Sequence, residues 1–123
     1  MFNRENITSL EQELGLKYPP SFKREANELV SLSKEKGFQK VFPGVRFIIS
    51  ASEIRKIHTD GVPPSIIPFM TAENLPDYYS FDISSPGPEF KVAVFADHAV
   101  VFDWANFGAF LEWIHGKLQT QKK

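Results

Sequence analysis

The fold is decided by residues 66–104, IIPFMTAENLPDYYSFDISSPGPEFKVAVFADHAVVFDW. This stretch contains four strand-like runs rich in β-branched and aromatic residues, at 66–72, 78–83, 90–95 and 99–103. The pieces between them are short and rich in turn-forming residues. Because connections this short join neighbouring antiparallel strands, the stretch predicts an antiparallel meander. Pro68 predicts an edge position or a β-bulge in the first run.

Helices are predicted on both sides of this meander. A C-terminal helix is indicated by an apolar stripe at helical spacing that follows Asn106, a possible N-cap; the stripe consists of Phe107, Phe110, Leu111, Ile114 and Leu118. Near the N-terminus, Thr8 and Glu11 have capping-box spacing, and Gly15 predicts the end of that first helix. A second helix is predicted from Ser21 as N-cap, with one apolar face and a stop at Gly37; the face consists of Phe22, Ala26, Leu29, Val30 and Ser33.

A hairpin and a short helix are predicted before the meander. Apolar and polar residues alternate along 38–42 as in a strand, and Pro43-Gly44 is a turn signal. Residues 45–49 are predicted to form the partner strand. Ser50 and Glu53 then have capping-box spacing before a short helix that ends at Asp60-Gly61.

The predicted fold class is therefore α+β: an antiparallel β-sheet meander with helices packed on one face, an N-terminal helix pair and a C-terminal helix. We expect a single domain over residues 1–118 and a polar C-terminal tail at 119–123.

Composition narrows the classes of function. A chain of 123 residues with 42% hydrophobic residues is long enough to bury a core without disulfides or a structural metal. It has no cysteine, which excludes a disulfide framework and a cysteine nucleophile and favours a reducing compartment. There is no signal-peptide pattern and no apolar run of about 18 residues, so we expect a cytoplasmic protein with no membrane partner.

Charge is unevenly distributed along the chain. Residues 1–60 carry ten basic and eight acidic side chains, whereas residues 61–116 carry one basic and seven acidic side chains. An acidic surface repels a phosphate backbone, so we expect no direct nucleic-acid partner and instead a protein partner with a basic surface. The alternative is that these acids form an ordinary solvated surface.

Motifs for catalysis are scarce in this sequence. The best acid-base set is Asp97-His98 with Asp82, Asp103 and His58, but a structural turn explains Asp97-His98 without chemistry. The three histidines are 40 and 17 residues apart, which gives no local pair of metal ligands. We therefore expect no enzyme activity, no cofactor and no metal.

Most of the many aromatic residues are expected to fill the core, and one tyrosine is expected to lie outside it. Inward positions are predicted for Phe47, Phe69, Phe81, Phe95, Phe102 and Phe110. Alternation along 78–83 places Tyr79 on one face of the strand and Tyr78 on the other, so one tyrosine is expected outside the core. Tyr78 among acids is typical of a protein-binding surface, and cross-strand packing is the alternative.

Three stretches in this order resemble the SUKH superfamily of bacterial immunity proteins, which includes the yeast regulator of cell-wall assembly. The first is ELGLKYPPSF at 13–22, a short helix followed by a proline step. The second is IIPF at 66–69 with DYYSFD at 77–82, and the third is VFDWANF at 101–107 running into Phe110-Leu111. The order, spacing and total length of these motifs carry the resemblance over nearly the whole chain.

The resemblance implies a non-enzymatic protein that binds a cognate toxin, often a nuclease, and neutralises it by blocking its active site. The alternative within the same fold is a regulatory protein-binding module with a housekeeping partner. Candidate partner-binding residues are the acids of the second half and the exposed tyrosine: Glu73, Asp77, Tyr78, Asp82, Glu89 and Asp97.

Overall fold

The computed structural model describes residues 4–72, 75–96 and 98–121. Helices are α1 Arg4–Leu14, α2 Pro20–Ser33, α3 Lys36–Val41, α4 Ala51–Thr59 and α5 Phe107–Gln121. Strands are β1 Arg46–Phe47, β2 Ile66–Ala72, β3 Leu75–Asp82, β4 Lys91–Ala96 and β5 Ala99–Trp104. The predicted α+β class, with N-terminal helices and a C-terminal helix, is confirmed.

The meander forms an antiparallel sheet in the order β1-β2-β3-β4-β5. All four strand-like runs of the sequence are strands, and β2 has the predicted bounds. The register of β2 against β3 shifts between Pro68 and Met70, which confirms the predicted bulge. The proline therefore lies where the ladder is already irregular, since it cannot donate a hydrogen bond to it.

Residues 38–41 are helical and Phe42 is the C-cap of α3, so the predicted strand and hairpin are wrong. Phe38 and Phe42 are four residues apart, both are buried, and their ring centroids lie 4.8 Å apart. That spacing brings two large side chains onto one side of a helix, and tertiary packing outweighs the local alternation. The turn at Pro43-Gly44 is present, but β1 pairs with β2.

Two predicted N-caps are also wrong. Helix α1 begins at Arg4, before Thr8, although Gly15 ends it as expected with a φ of 70°. Helix α2 begins at Pro20 after the N-cap Pro19, so Ser21 lies inside its first turn. The predicted apolar face of α2 is buried throughout, but the helix ends at Ser33, and Gly37 belongs to α3.

The caps of α4 and α5 are confirmed. The Ser50 hydroxyl accepts a hydrogen bond from the Glu53 N–H at 3.4 Å. The Asn106 side-chain oxygen accepts from the Ala109 N–H at 2.9 Å. Helix α4 ends at Thr59 with Asp60 as its C-cap, and Gly61 follows with a φ of 114°, a conformation that glycine adopts without a steric penalty.

The core lies between the sheet and the helices α2 and α5. Phe22 of α2 has its ring centroid 5.0 Å from the rings of both Phe81 and Phe107, and Phe69 stacks on Phe81 at 4.8 Å. The whole predicted stripe of α5 is buried. We call the side of the sheet that carries Tyr79 and Phe81 the helix face, and the side that carries Tyr78 the opposite face.

Candidate binding surface

Strand β5 exposes a run of apolar side chains. The exposed fractions are 46% for Val100, 59% for Val101 and 55% for Phe102. Phe102 was predicted to lie in the core, and this prediction is wrong. β5 is the last strand of the sheet, and Trp104 takes the position against Phe110 and Trp113 of α5. The ring of Phe102 packs on Trp104, at 4.9 Å between centroids.

The exposed run reaches both faces of the sheet. Val100 pairs with Phe95, which pairs with Tyr78, and paired residues project to the same face. Phe102 pairs with Val94, whose other partner is Tyr79 on the helix face. The register shift that leaves Val101 between these two pairs is a bulge in the edge strand. An apolar rim therefore runs around this edge.

A hollow lies beside the rim on the opposite face. Its volume is about 190 Å³, and it is lined by Ile57, Asp60, Gly61, Val62, Tyr78, Phe95 and His98. Ile57 and Val62 come from the end of α4 and the turn after it, so α4 forms one wall and the sheet the other. Tyr78 is half-buried here. Tyr78 lies on the face opposite Tyr79, as alternation predicts, but it is partly buried against the core and pairs with Phe95, which is the cross-strand alternative.

Two of the predicted acidic contacts, Asp82 and Glu89, have hydrogen-bond partners within the fold. Glu73 and Asp97 lie outside the described residues. Asp82, at the end of β3, accepts a hydrogen bond from the Ser84 N–H at 3.0 Å. Glu89 accepts from the Ser21 N–H at 3.0 Å and also from the Ser21 hydroxyl.

Asp77 has an electrostatic effect on its neighbour. Asp77 is half-buried. The burial of Tyr79, and to a smaller extent the charge of Asp77, raises the pKa of Tyr79 to about 12. The Asp77 carbonyl also accepts a hydrogen bond from the Thr71 hydroxyl at 2.9 Å. Asp77 thus lies next to Tyr78 in the chain but projects toward the other side of the strand.

Two members of the possible acid-base set have structural partners. His58 places Nε2 2.7 Å from the Ile66 carbonyl oxygen, and the Asp82 carboxylate is bonded to Ser84 as described above. Asp103 is exposed on β5, and His98 is exposed with a φ of 68° in the turn before it. Over the described ranges, no cluster of three or more His, Asp or Glu side chains could hold a metal ion.

The SMI1/KNR4 family (SUKH-1) has a family model that matches residues 1–113. The chain belongs to this SUKH-1 family. The match covers every strand, the hollow and the β5 rim, so all of the candidate surface lies inside the SUKH-1 domain. Comparison with curated proteins and with solved structures gave no match. Across the described parts of this SUKH-1 chain, no helix has the length and apolar character needed to cross a membrane.

Alternation predicted the face of the sheet on which Tyr78 lies, but the exposed β5 rim of this SUKH-1 domain was not predicted. The available signal was the run Val100-Val101-Phe102, three consecutive apolar residues in the last strand of a meander. A strand with one face in water alternates apolar and polar residues, so an unbroken apolar run is expected only where both faces are covered or where the strand meets a partner.

Larger open grooves border α1, and two of their charged lining residues, Glu11 and Lys23, are engaged within the fold. The groove between α1 and α2, about 240 Å³, is lined in part by Glu11 and Lys23, which form an ion pair of 2.7 Å. Glu11 also accepts a hydrogen bond from the Tyr18 N–H at 2.8 Å. These contacts hold the start of the chain together and leave the hollow and the β5 rim as the candidate surface.

Proposed function

We propose that this protein is a cytoplasmic, non-catalytic immunity protein of a bacterial polymorphic toxin system. It binds a cognate toxin domain and neutralises it by blocking the active site or the substrate groove. Membership of the SUKH-1 family supports an immunity role. The contact surface in this proposal consists of Tyr78 with its hollow and the β5 rim.

The observation that carries the proposal is the exposure of Val100, Val101 and Phe102 on an edge strand. Contiguous exposed apolar residues mark interaction sites on soluble domains, and an open strand edge can pair with a strand of another chain. Aromatic residues are enriched at protein interfaces, and tyrosine is among the residue types that supply most of the binding energy there. A binding function therefore explains a feature that otherwise favours aggregation.

Charge supports a basic toxin, with a nuclease as the favoured class. Enzymes that act on nucleic acids have basic grooves, and an acidic protein is attracted to such a groove. Asp77 precedes Tyr78 in the chain but projects to the other side of the strand, and Asp103 lies exposed on β5. Glu73 and Asp97 belong to the proposed contact set from their sequence positions, whereas Asp82 and Glu89 have intramolecular partners and are proposed at its margin.

The test is affinity capture from a lysate of the source organism with three tagged baits: the wild-type chain, Val101→Lys and Asn27→Lys. Asn27 is exposed on α2, so the third bait carries the same added charge away from the rim. We expect the wild-type and Asn27→Lys baits to retain one toxin at low salt in a one-to-one complex. We expect Val101→Lys to raise the Kd of the complex with the toxin about tenfold or more.

Recovered toxin is then expressed in cells with and without the wild-type chain. Relief of growth arrest by the wild-type chain, weakened by Val101→Lys and not by Asn27→Lys, is the expected result. Recovery of housekeeping proteins instead of a toxin would contradict the proposal and favour a regulatory binding module of the same fold. Equal binding by all three baits would remove the β5 rim from the contact surface.

A further inference from the structure

The hollow beside Tyr78 combines three features that suit a cation. Asp60 lines the hollow, is exposed, and forms no ion pair among the residues that the structure describes. Asp60 is also the C-cap of the nine-residue helix α4, and the C-terminal end of a helix carries a partial negative charge. The aromatic rings of Tyr78 and Phe95 line the same space, and aromatic faces attract cations.

The size and apolar walls of the hollow limit which chemical groups can occupy it. About 190 Å³ is below the roughly 300–1,000 Å³ typical of pockets for drug-sized ligands, so the hollow fits a single side chain. Ile57 and Val62 are buried lining residues that offer apolar contact for an aliphatic stem, whereas Asp60 is an exposed lining residue. A long side chain with an apolar stem and a cationic head matches this arrangement.

We propose that the hollow receives an arginine side chain of the partner protein. The guanidinium head binds the Asp60 carboxylate and lies against the Tyr78 ring, and the stem packs between α4 and the sheet. Arginine suits the site better than lysine because its planar head stacks on aromatic rings and can form two parallel hydrogen bonds to one carboxylate. This inference rests on the proposed function, since it names the side chain by which the toxin binds in the hollow beside Tyr78.

The test uses the purified full chain, uniformly labelled with ¹⁵N, and small probes in place of the toxin. N-acetyl-arginine amide is titrated while backbone amide shifts are recorded. The matched controls are N-acetyl-citrulline amide, which is neutral and nearly the same shape, and N-acetyl-leucine amide, which is apolar. The variants are Asp60→Asn and Glu112→Gln, the latter removing an exposed carboxylate on α5.

We expect saturable shifts with the arginine probe at Ile57, Asp60–Val62, Tyr78 and His98, with a Kd in the millimolar range. We expect the citrulline probe to bind at least about fivefold more weakly than the arginine probe. Asp60→Asn should weaken arginine binding about fivefold, and Glu112→Gln should leave it unchanged. Absence of saturable shifts, equal binding of citrulline, a preference for leucine, or no effect of Asp60→Asn would each overturn the proposal.

The probe titration is independent of toxin capture. If a toxin binds the chain and the arginine probe does not, the arginine site is wrong and the immunity function stands. If the probe binds as expected and no toxin is recovered, the site stands and the immunity function falls.

Discussion

The Glu11 carboxylate accepts a hydrogen bond from the backbone N–H of Tyr18 at 2.8 Å, and this contact joins α1 to the entry of α2. Glu11 is buried, and Lys23 lies 2.7 Å from the same carboxylate. We expect Glu11→Ala to lower the free energy of unfolding by about 1–3 kcal/mol, because the Tyr18 N–H loses its acceptor inside the protein. Urea denaturation measures this. Glu13→Ala, an exposed change on the same helix, should stay within about 0.5 kcal/mol, and equal losses for both variants would contradict the assignment.

Replacing Tyr18 by Phe should be neutral or stabilising. The Tyr18 hydroxyl is buried with no hydrogen-bond partner within the described residues, and burial raises the pKa of Tyr18 well above its usual range. Removing an unpaired buried hydroxyl avoids a desolvation cost of about 1–3 kcal/mol, while the ring keeps its packing against Phe22 and Phe81. Thermal unfolding of Tyr18→Phe and of the wild type tests this, and a clear loss of stability would show that the hydroxyl has a partner.

Stability should fall at alkaline pH through Tyr79. Its pKa is raised from 10.0 to about 12 by burial and by the Asp77 charge, so folding favours the neutral phenol. The resulting stability is fully present below pH 10 and is lost as the pH rises toward 12. We expect Tyr79→Phe to reduce the slope of stability against pH in this window, measured by denaturation at a series of pH values. An unchanged slope would place the phenol in water.

Glu89 should act as a cap supplied from far along the chain. Helix α2 has Pro19 at its N-cap and no side-chain cap of its own, and Glu89 binds the Ser21 N–H and hydroxyl in the first turn. We expect Glu89→Ala to destabilise the protein by about 1–2 kcal/mol, since both the hydrogen bonds and the favourable charge at the helix N-terminus are lost. Glu28→Ala, an exposed glutamate on the same helix, provides the comparison. Loss of toxin binding without loss of stability would instead make Glu89 a contact residue.

Two residues of β5 should respond in opposite ways to substitution. Trp104 is buried against Tyr79, Phe110 and Trp113, so Trp104→Ala should cost about 3–5 kcal/mol. Val101 is exposed, and Val101→Lys should change the free energy of unfolding by no more than about 0.5 kcal/mol. Denaturant unfolding of both variants checks the contrast. A large loss in Val101→Lys would mean that its side chain is covered.

Local patterns in the sequence determined much of this fold. The strand-like runs, the apolar stripe of α5, the face of α2 and the caps at Ser50 and Asn106 depend on residues within a few positions of one another. Those relationships persist in any arrangement that buries the apolar side. The same alternation separated Tyr78 from Tyr79, so one residue of the candidate surface could be predicted from its strand alone.

Tertiary structure decided the helical state of 38–41, the exposure of Phe102, the cap supplied by Glu89 and the hollow between α4 and the sheet. Each depends on residues distant in sequence. Phe42, the C-cap of α3, packs on Tyr79 and Trp113, and Phe102 is exposed because β5 is the outermost strand among the described residues. Short-range periodicity carries no information about which elements become neighbours. The hollow and the β5 rim of the candidate surface are therefore seen only in the tertiary structure.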